Sequence, residues 1–289
     1  MESVSQKTAV ITGCSSGIGK ALAKKFHSEG YQVIAGARRL DKMNDLKEIG
    51  IVTVRLDVTS DESVSQLRDQ VEKLTGGSLD ILINNAGQGY GLAALDTTVD
   101  RAKELFDVNY FGAIRMINAF AKPLIRAKGK IIQIGSITSK LMVPFGSSYA
   151  AVKAALLAYS DCLSMELKAF EVEVITIITG GVATDIYDPT PIPEDSLYKD
   201  AQDAVERRKR LSKESSPMSA DDYATRVFNH VSKENANTHY WEGTNAIAAK
   251  FATEWLPRWL VEYVMMKRQS ADKFVTLTRA KRANGELHL

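Results

Sequence analysis

The chain has 289 residues, of which 45% are hydrophobic and 25% are charged, and its formal net charge is only +2. This balance is typical of a soluble globular protein and gives no sign of nucleic-acid binding. Its two cysteines provide no disulfide framework, and its first residues lack the apolar core of a signal peptide. No window is apolar enough for a membrane span. We therefore expect a cytoplasmic protein that is soluble or at most attached to a membrane surface.

Short apolar runs rich in valine and isoleucine alternate with amphipathic segments along the chain. The runs KTAVIT, YQVIAG, IVTVRLD, LDILINN, KIIQIGS and VEVITIIT are typical of parallel strands buried on both faces. Helices are predicted between them at 18–29, 40–48, 61–74, 100–125 and 147–170. The alternation predicts an α/β fold, a doubly wound parallel sheet of about seven strands with helices on both faces. A single domain is expected over 1–289.

The first turn, TGCSSGIG, follows a predicted strand and precedes a predicted helix. Its three glycines permit a tight turn and allow a ligand to approach the backbone closely. The N-terminus of the following helix favours a pyrophosphate, although the glycine spacing differs from the common fingerprint G-x-G-x-x-G. We predict a dinucleotide site here, formed by Gly13, Ser15, Ser16, Gly17, Ile18 and Gly19.

The second predicted strand ends in GARRL, where an NAD-binding protein usually has an acidic residue. Arg38 and Arg39 stand there instead. A guanidinium binds a 2′-phosphate through two hydrogen bonds, whereas a carboxylate would repel it. The pair therefore favours NADPH over NADH; the alternative is two arginines on a solvated loop.

Polar residues also follow the third and fourth predicted strands, as LDV (56–58) and NNAG (84–87). Open parallel sheets bind ligands at the carboxyl ends of their strands, so we expect Asp57 to accept a hydrogen bond from an adenine amino group. The cofactor would also pass close to Val58, Asn85, Ala86 and Gly87.

Tyr149 and Lys153 lie four residues apart and so share one face of the predicted helix 147–170. Ser136 ends the fifth apolar run, and Asn109 is a poor helix former within the predicted helix 100–125. A Tyr-x-x-x-Lys pair alone is usually a surface contact. Its combination with the glycine turn and NNAG indicates a catalytic site.

In order and approximate spacing, these motifs resemble the short-chain dehydrogenase/reductase family over about residues 7 to 185. The motifs are Thr12-Gly-x-x-x-Gly-Ile-Gly19, Asn84-Asn-Ala-Gly87, Asn109, Ser136 and Tyr149-x-x-x-Lys153. The resemblance implies a Rossmann-type fold, NADPH as cofactor and reduction of a ketone to a secondary alcohol. A homodimer or homotetramer is also expected from the resemblance.

The resemblance implies a role for each residue of the catalytic set. Tyr149 would be the general acid, and Lys153 would lower its pKa and bind the nicotinamide ribose. Ser136 would orient the carbonyl. Asn109 would hold a water that relays protons between Lys153 and solvent.

The loop ITGGVATDI (178–186) is expected to reach the nicotinamide through Gly180, Val182 and Thr184. The family usually has proline at the position of Thr179, so a less rigid loop is expected. This loop, with GARRL and NNAGQ, is similar to one branch of the family, the fungal reductases of 1-acyldihydroxyacetone phosphate. Those enzymes act in ether-lipid and phosphatidate synthesis at endoplasmic reticulum and lipid droplets, which implies a lipid ketone as substrate.

After the motifs, Pro189, Pro191 and Pro193 interrupt the pattern, and a charge-rich helical stretch follows over 199–214. We predict that residues 185–216 form a lid over the substrate. The basic run RRKR (207–210) would meet a substrate phosphate, an anionic membrane or only solvent, and a nuclear-localisation signal is a weaker alternative.

Residues 251–289 are predicted to form an amphipathic C-terminal extension. A stripe at helical spacing consists of Trp255, Trp259, Tyr263 and Met266. Such a stripe either packs on its own protein, here as a wall of the substrate pocket, or lies in a membrane or lipid-droplet surface. We favour the pocket wall.

Other functions remain open on the same residues. A hydroxysteroid dehydrogenase or a broad-specificity carbonyl reductase would share every motif. The residues from Gly13 to Gly17 also match the G-x-S-x-G pattern of a lipid hydrolase, which would need a histidine near Ser15. A cofactor-binding protein without turnover is disfavoured by the intact catalytic set, and no metal site is predicted. The histidines that could serve a hydrolase with Ser15 are His27, His230, His239 and His288.

Overall fold

All six apolar runs form parallel strands in the computed structural model of the chain, which describes residues 6–184, 186–188, 191–207 and 216–286. A seventh strand, HYWE, was not among the predicted runs because it has no aliphatic residue and its two aromatic residues stand between a histidine and a glutamate. The strands of the main sheet are β1 Thr8–Thr12, β2 Gln32–Ala37, β3 Val52–Arg55, β4 Ile81–Asn84, β6 Lys130–Ile134, β7 Glu173–Thr179 and β9 His239–Glu242. Two short strands, β5 Gly89–Tyr90 and β8 Tyr187–Asp188, pair with each other.

The main sheet has the order β3-β2-β1-β4-β6-β7-β9, and all its neighbouring strands are parallel. The direction of winding reverses between β1 and β4. Ligands of open parallel sheets bind at such a reversal, beyond the carboxyl ends of the strands. The topology confirms the predicted doubly wound α/β fold and directs attention to the ends of β1 and β4.

Helices cover both faces of the sheet. They are α1 Gly17–Ser28, α2 Asn44–Glu48, α3 Asp61–Thr75, α4 Val99–Phe106, α5 Gly112–Ala127, α6 Ser147–Glu166, α7 Ala220–Val231, α8 Ala246–Trp255, α9 Arg258–Arg268 and α10 Ala271–Ala283. One core contains Phe26 of α1 and Tyr223 of α7, and the opposite core contains Leu67 of α3 and Phe120 of α5. Successive side chains of a strand point to opposite faces, so Ile11 enters the first core and Val10 the second.

Three predicted helices differ from the observed ones, and the helix predicted over 147–170 is α6 followed by a 3₁₀ turn, Leu167–Phe170. The helix predicted over 100–125 consists of α4 and α5 with a π-helical turn, Asp107–Phe111, between them. The helix predicted over 40–48 begins as a 3₁₀ turn, Leu40–Met43, before α2. The stretch predicted to be helical from residue 199 is helical as far as residue 207. Pro189, Arg208, Lys209 and Arg210 lie outside the described residues.

The last three helices form a layer at the carboxyl edge of the sheet. Ala249 of α8, together with Val261 and Met265 of α9, packs with Ile178 and Trp241 of the sheet. Farther along, Lys281 of α10 pairs with Asp200 at 2.5 Å, and the Phe274 and Tyr198 rings lie 5.7 Å apart. None of the helices in the described part of the chain is long and apolar enough to cross a bilayer. The roles predicted for 185–216 as a lid and for 251–289 as an extension remain predictions.

Candidate active site

The glycine turn after β1 is built against the NNAG segment after β4. Gly13 has a φ of +75°, and a Cβ added to it would lie 2.9 Å from the Cα of Ala86. The hydroxyl of Thr12 accepts hydrogen bonds from the backbone N–H groups of Asn85 (3.0 Å) and Ala86 (2.9 Å). The side chain of Asn85 donates to the carbonyl of Thr12 at 2.9 Å. A side chain at position 13 would therefore separate the two segments.

A cavity of about 280 Å³ lies along this turn and continues into a larger one of about 400 Å³. The smaller cavity is lined by most of the predicted cofactor residues, namely Gly13, Ser15, Ser16, Gly17, Ile18, Arg38, Arg39, Asp57, Val58, Asn85, Ala86, Gly87 and Thr184. Ile18, Asn85, Gly87 and Thr184 also line the larger cavity, to which Gly180 and Val182 contribute as well. Gly19 is buried behind the turn, where an added Cβ would lie 2.4 Å from the carbonyl oxygen of Gly13. A groove with a side-chain-free floor fits a dinucleotide.

Positive and negative groups lie at the outer end of this groove. Arg38 and Arg39 are exposed, and Arg39 Nη2 donates to Ser15 Oγ at 3.4 Å. Asp57 Oδ1 accepts from the N–H (3.0 Å) and the hydroxyl (2.8 Å) of Thr59. Burial raises the pKa of Asp57, but these hydrogen bonds and the nearby Arg38 outweigh burial and lower the pKa overall. Asp57 is therefore a carboxylate that can accept a further hydrogen bond.

Three of the four predicted catalytic residues lie together at the wall of the larger cavity. Ser136, Tyr149 and Lys153 are buried and line this cavity. Lys153 Nζ donates to the carbonyl of Ile134 at 3.0 Å and lies 5.8 Å from the centroid of the Tyr149 ring. Burial lowers the pKa of Lys153 to about 8, so the ammonium is still mostly charged at pH 7.

Thr138, which the motif analysis did not single out, holds Ser136 in place. Ser136 Oγ accepts from the N–H of Thr138 at 3.2 Å and from its hydroxyl at 2.9 Å. Because both of these contacts use oxygen lone pairs, the hydroxyl proton of Ser136 is directed toward another acceptor. Thr138 also lines the larger cavity, so that acceptor can be a substrate carbonyl.

Asn109 lies within the π-helical turn and not in a regular helix. Its amide nitrogen donates to the carbonyls of Gln88 (3.0 Å) and Leu105 (2.9 Å). Its buried Oδ1 has no partner within the described part of the chain, and the same is true of both amide atoms of Asn84. Asn84, Asn109 and Lys153 line a cavity of about 10 Å³, which has room for about one water molecule. The NNAG motif by itself indicated no role for the Asn84 side chain.

The loop after β7 is held by hydrogen bonds at the position where proline is missing. Thr179 Oγ1 lies 2.6 Å from the hydroxyl of the fully buried Tyr223. The N–H of Gly180 donates to the carbonyl of Glu242 at 2.9 Å, and Gly181 and Thr244 exchange two backbone hydrogen bonds. These contacts restrain the backbone where a proline ring would otherwise do so, and the less rigid loop expected from the sequence stays a prediction.

The geometry required of a lipid hydrolase is not found among the described residues. The hydroxyl oxygen of Ser15 accepts a hydrogen bond from the Arg39 guanidinium. His230 Nε2 pairs with the carbonyl of Asn237 at 3.1 Å, and His239 Nε2 pairs with Asp161 at 2.6 Å. His27 makes no hydrogen bond to Ser15, and His288 lies outside the described residues.

The aromatic stripe predicted as a pocket wall faces outward instead. Trp255 is 74% exposed, Trp259 is 69% exposed and Tyr263 is also exposed, and neither they nor Met266 line the cavity. Adjacent positions of the same helices form the wall, because a helix turns about 100° per residue. The cavity-lining residues of this extension are Ala252, Leu256, Val261, Val264, Met265, Arg268 and Gln269.

Comparisons with known proteins agree with this geometry. A family model described as short chain dehydrogenase matches residues 7–194. The chain is 38% identical to the NADPH-dependent 1-acyldihydroxyacetone phosphate reductase of Saccharomyces cerevisiae over 98% of each chain. It is 46% identical to the Schizosaccharomyces pombe protein of the same name over 67% of this chain and 68% of the other. A solved short-chain dehydrogenase structure from Streptomyces avermitilis superposes with a TM-score of 0.77 at 25% identity, covering 96% of this chain and 99% of that one.

Proposed function

The chain belongs to the short-chain dehydrogenase family and is an NAD(P)-dependent oxidoreductase that acts on CH–OH groups, and within that class we propose that it reduces 1-acyldihydroxyacetone phosphate with NADPH. The product is 1-acylglycerol 3-phosphate. The observation that carries the proposal is a mostly apolar cavity of about 400 Å³ whose lining includes Ser136, Tyr149 and Lys153. An acyl chain suits its aliphatic wall, and the two fungal relatives named above carry the same activity in their names.

The cofactor is held by the residues of the groove. The glycine turn and the N-terminus of α1 bind the pyrophosphate, while Asp57 accepts from the adenine amino group. Arg38 and Arg39 bind the 2′-phosphate that distinguishes NADPH from NADH. When bound, NADPH supplies the hydride that adds to the carbonyl carbon of the substrate.

The chain itself handles the charge and the proton of this reaction. Ser136 donates its hydroxyl proton in a hydrogen bond to the carbonyl oxygen and so orients the substrate. Tyr149 transfers its proton to the same oxygen as negative charge develops there. The buried ammonium of Lys153 stabilises the resulting phenolate because the low polarity around it strengthens the attraction. Asn109, together with Asn84, holds a water beside Lys153 through which the proton is replaced.

A panel of ketones tests the proposed substrate. We expect NADPH oxidation by the full chain to be most efficient, in kcat/KM, with 1-acyldihydroxyacetone phosphate. Acyl chains of increasing length should lower KM, because each buried methylene contributes about 0.8 kcal/mol. Steroid ketones and simple aliphatic ketones serve as comparison substrates. Higher efficiency with a steroid would identify a hydroxysteroid dehydrogenase, and uniform rates across the panel would identify a broad-specificity carbonyl reductase.

The exposed aromatic face supports peripheral contact with a membrane or lipid droplet. Phe251, Trp255, Trp259 and Tyr263 are exposed on α8 and α9 beside Val264, which is itself exposed and lines the cavity. Aromatic side chains of this kind insert into the interfacial region of a bilayer. A lipid substrate could then pass from the bilayer into the cavity past Val264.

Vesicle co-sedimentation tests this contact. The double substitution Trp255→Ser and Trp259→Ser should reduce binding to vesicles of phosphatidylcholine and phosphatidate by about tenfold or more, since interfacial affinity scales with the apolar area buried. Leu95→Ser is the matched control, because Leu95 is 73% exposed but does not line the cavity. Equal sedimentation of both variants would refute the membrane contact. The predicted homodimer or homotetramer remains a separate proposal, to be checked by the mass of the protein in solution.

A further inference from the structure

The wall of the large cavity carries one unpaired cation. Besides Lys153, the only cationic side chain that lines this cavity in the described part of the chain is Arg268, the last residue of α9. Arg268 makes no ion pair or hydrogen bond with another described residue. The preceding residue, Lys267, instead pairs with Asp272 at 2.7 Å on the outer surface. Arg268 therefore has a full set of guanidinium donors available to a ligand.

The next residue supplies a second, independent observation. Gln269 is only 6% exposed and lines the same cavity. Its amide oxygen is buried without a hydrogen-bond partner among the described residues. Buried polar side chains are seldom left unpaired, since they lose hydrogen bonds to water on burial. A buried amide with an unpartnered atom, in a residue that lines a cavity, indicates a polar group of a ligand.

The two helix ends nearest to Arg268 and Gln269 together do not oppose the binding of an anion. Arg268 is the last residue of α9 and Gln269 follows it, so both lie at the helix end whose partial negative charge would oppose an anion. The N-terminus of α10, with its partial positive charge, begins only two residues later at Ala271. The two helix ends therefore offset each other, and the guanidinium decides the sign of the local charge.

We propose that Arg268 and Gln269 form a subsite for the phosphate of a phosphomonoester lipid. The assignment rests on the proposed function, in which the substrate carries one phosphate next to the reacting carbonyl and an acyl chain on the other side. The guanidinium binds two phosphate oxygens, and the Gln269 amide donates to a third when it turns by 180°, which puts its nitrogen in the place of the unpartnered oxygen. The aliphatic part of the wall, which includes Leu141, Val261 and Met265, contacts the acyl chain.

Affinities for a matched pair of short lipids test the subsite without turnover. The probes are 1-hexanoylglycerol 3-phosphate and 1-hexanoylglycerol, titrated by calorimetry into the full chain with NADP⁺ present. We expect the wild-type chain to prefer the phosphate-bearing lipid, and Arg268→Gln to weaken that lipid alone by about tenfold or more. Gln269→Leu should cause a smaller loss of the same selectivity. Lys267→Gln, which removes the neighbouring cation outside the cavity, should leave both affinities within about twofold.

Each possible result either supports the subsite or overturns it. Equal affinity of the wild-type chain for the two lipids, or an equal loss for both in Arg268→Gln, overturns it. If Arg268 instead grips a bilayer headgroup, Arg268→Gln will weaken sedimentation with phosphatidate vesicles and leave the ratio of the two soluble affinities unchanged, which also overturns it.

Reduction of the proposed substrate is measured separately, as the rate of NADPH oxidation with 1-hexanoyldihydroxyacetone phosphate. A wild-type chain that binds the phosphate-bearing lipid selectively but does not reduce this ketone supports the subsite and refutes the proposed function. A chain that reduces the ketone with the same KM in the wild type and in Arg268→Gln supports the function and refutes the subsite.

Discussion

Replacement of Tyr149 by phenylalanine should lower kcat by about 10²- to 10⁴-fold, the usual contribution of a positioned general acid. The substitution removes the one hydroxyl that can transfer a proton to the carbonyl oxygen beside Ser136. It retains the ring, which is buried and packs near Lys153. Affinity for NADPH, measured by fluorescence titration, should therefore change little. The rate is measured as NADPH oxidation at saturating ketone.

A second tyrosine on the same helix provides the matched control. Tyr159 lies on α6, ten residues after Tyr149, and the centroid of its ring lies 5.9 Å from that of the Tyr110 ring. It does not line the large cavity. Tyr159→Phe should retain nearly full activity. Full activity in Tyr149→Phe would contradict the assigned general acid, and equal losses in both variants would point to damage to α6 instead.

Removal of both arginines after β2 should change the cofactor preference. The double substitution Arg38→Ala and Arg39→Ala should raise KM for NADPH by about 10²-fold, since hydrogen bonds to a charged group contribute about 1.5–3 kcal/mol each. KM for NADH should change much less, because NADH has no 2′-phosphate. The measurement is the ratio of kcat/KM for the two cofactors with one ketone.

Two further variants test whether the preference for NADPH depends on the planar shape of the guanidinium or only on positive charge. Arg38→Lys keeps the charge but loses the planar pair of donors, so it should lose part of the preference. Lys42→Ala removes an exposed cation four residues from Arg38 that does not line the cofactor groove, and it should have little effect. An unchanged cofactor ratio in the double variant would remove the argument for NADPH.

The sheet was predictable because its strands are buried on both faces. In β1, Val10 and Ile11 enter opposite cores, so the middle of the strand is apolar on both faces and the run is conspicuous in the sequence. The strand β9 was not predicted because it lies at the edge of the sheet and its two aromatic residues stand between a histidine and a glutamate, with no aliphatic residue. A strand that is buried on fewer sides leaves a weaker pattern.

Local motifs also placed most of the cofactor groove. Glycines at fixed spacing after a strand constrain the backbone within a few residues, and Tyr149 and Lys153 are one helical turn apart. Contacts between distant segments were not predictable in this way. The hydroxyl of Thr12 joins two strand ends that are 73 residues apart, and Thr179 is anchored by Tyr223. Asn84 became a candidate only when its unpaired amide was found beside Asn109 and Lys153.

The residues up to and including Lys153 thus predict the reaction from the sequence, because hydride transfer requires a few groups at short, fixed spacings. The choice of substrate depends on which faces of α8 and α9 turn toward the cavity. The same apolar periodicity allowed Trp255 and Trp259 to be either the wall or the outer surface, and only packing against Ile178 and Trp241 decides between them. Likewise, Arg268 and Gln269 have no motif around them. They become a candidate subsite because the fold buries one amide and places one exposed cation at the wall of the same cavity.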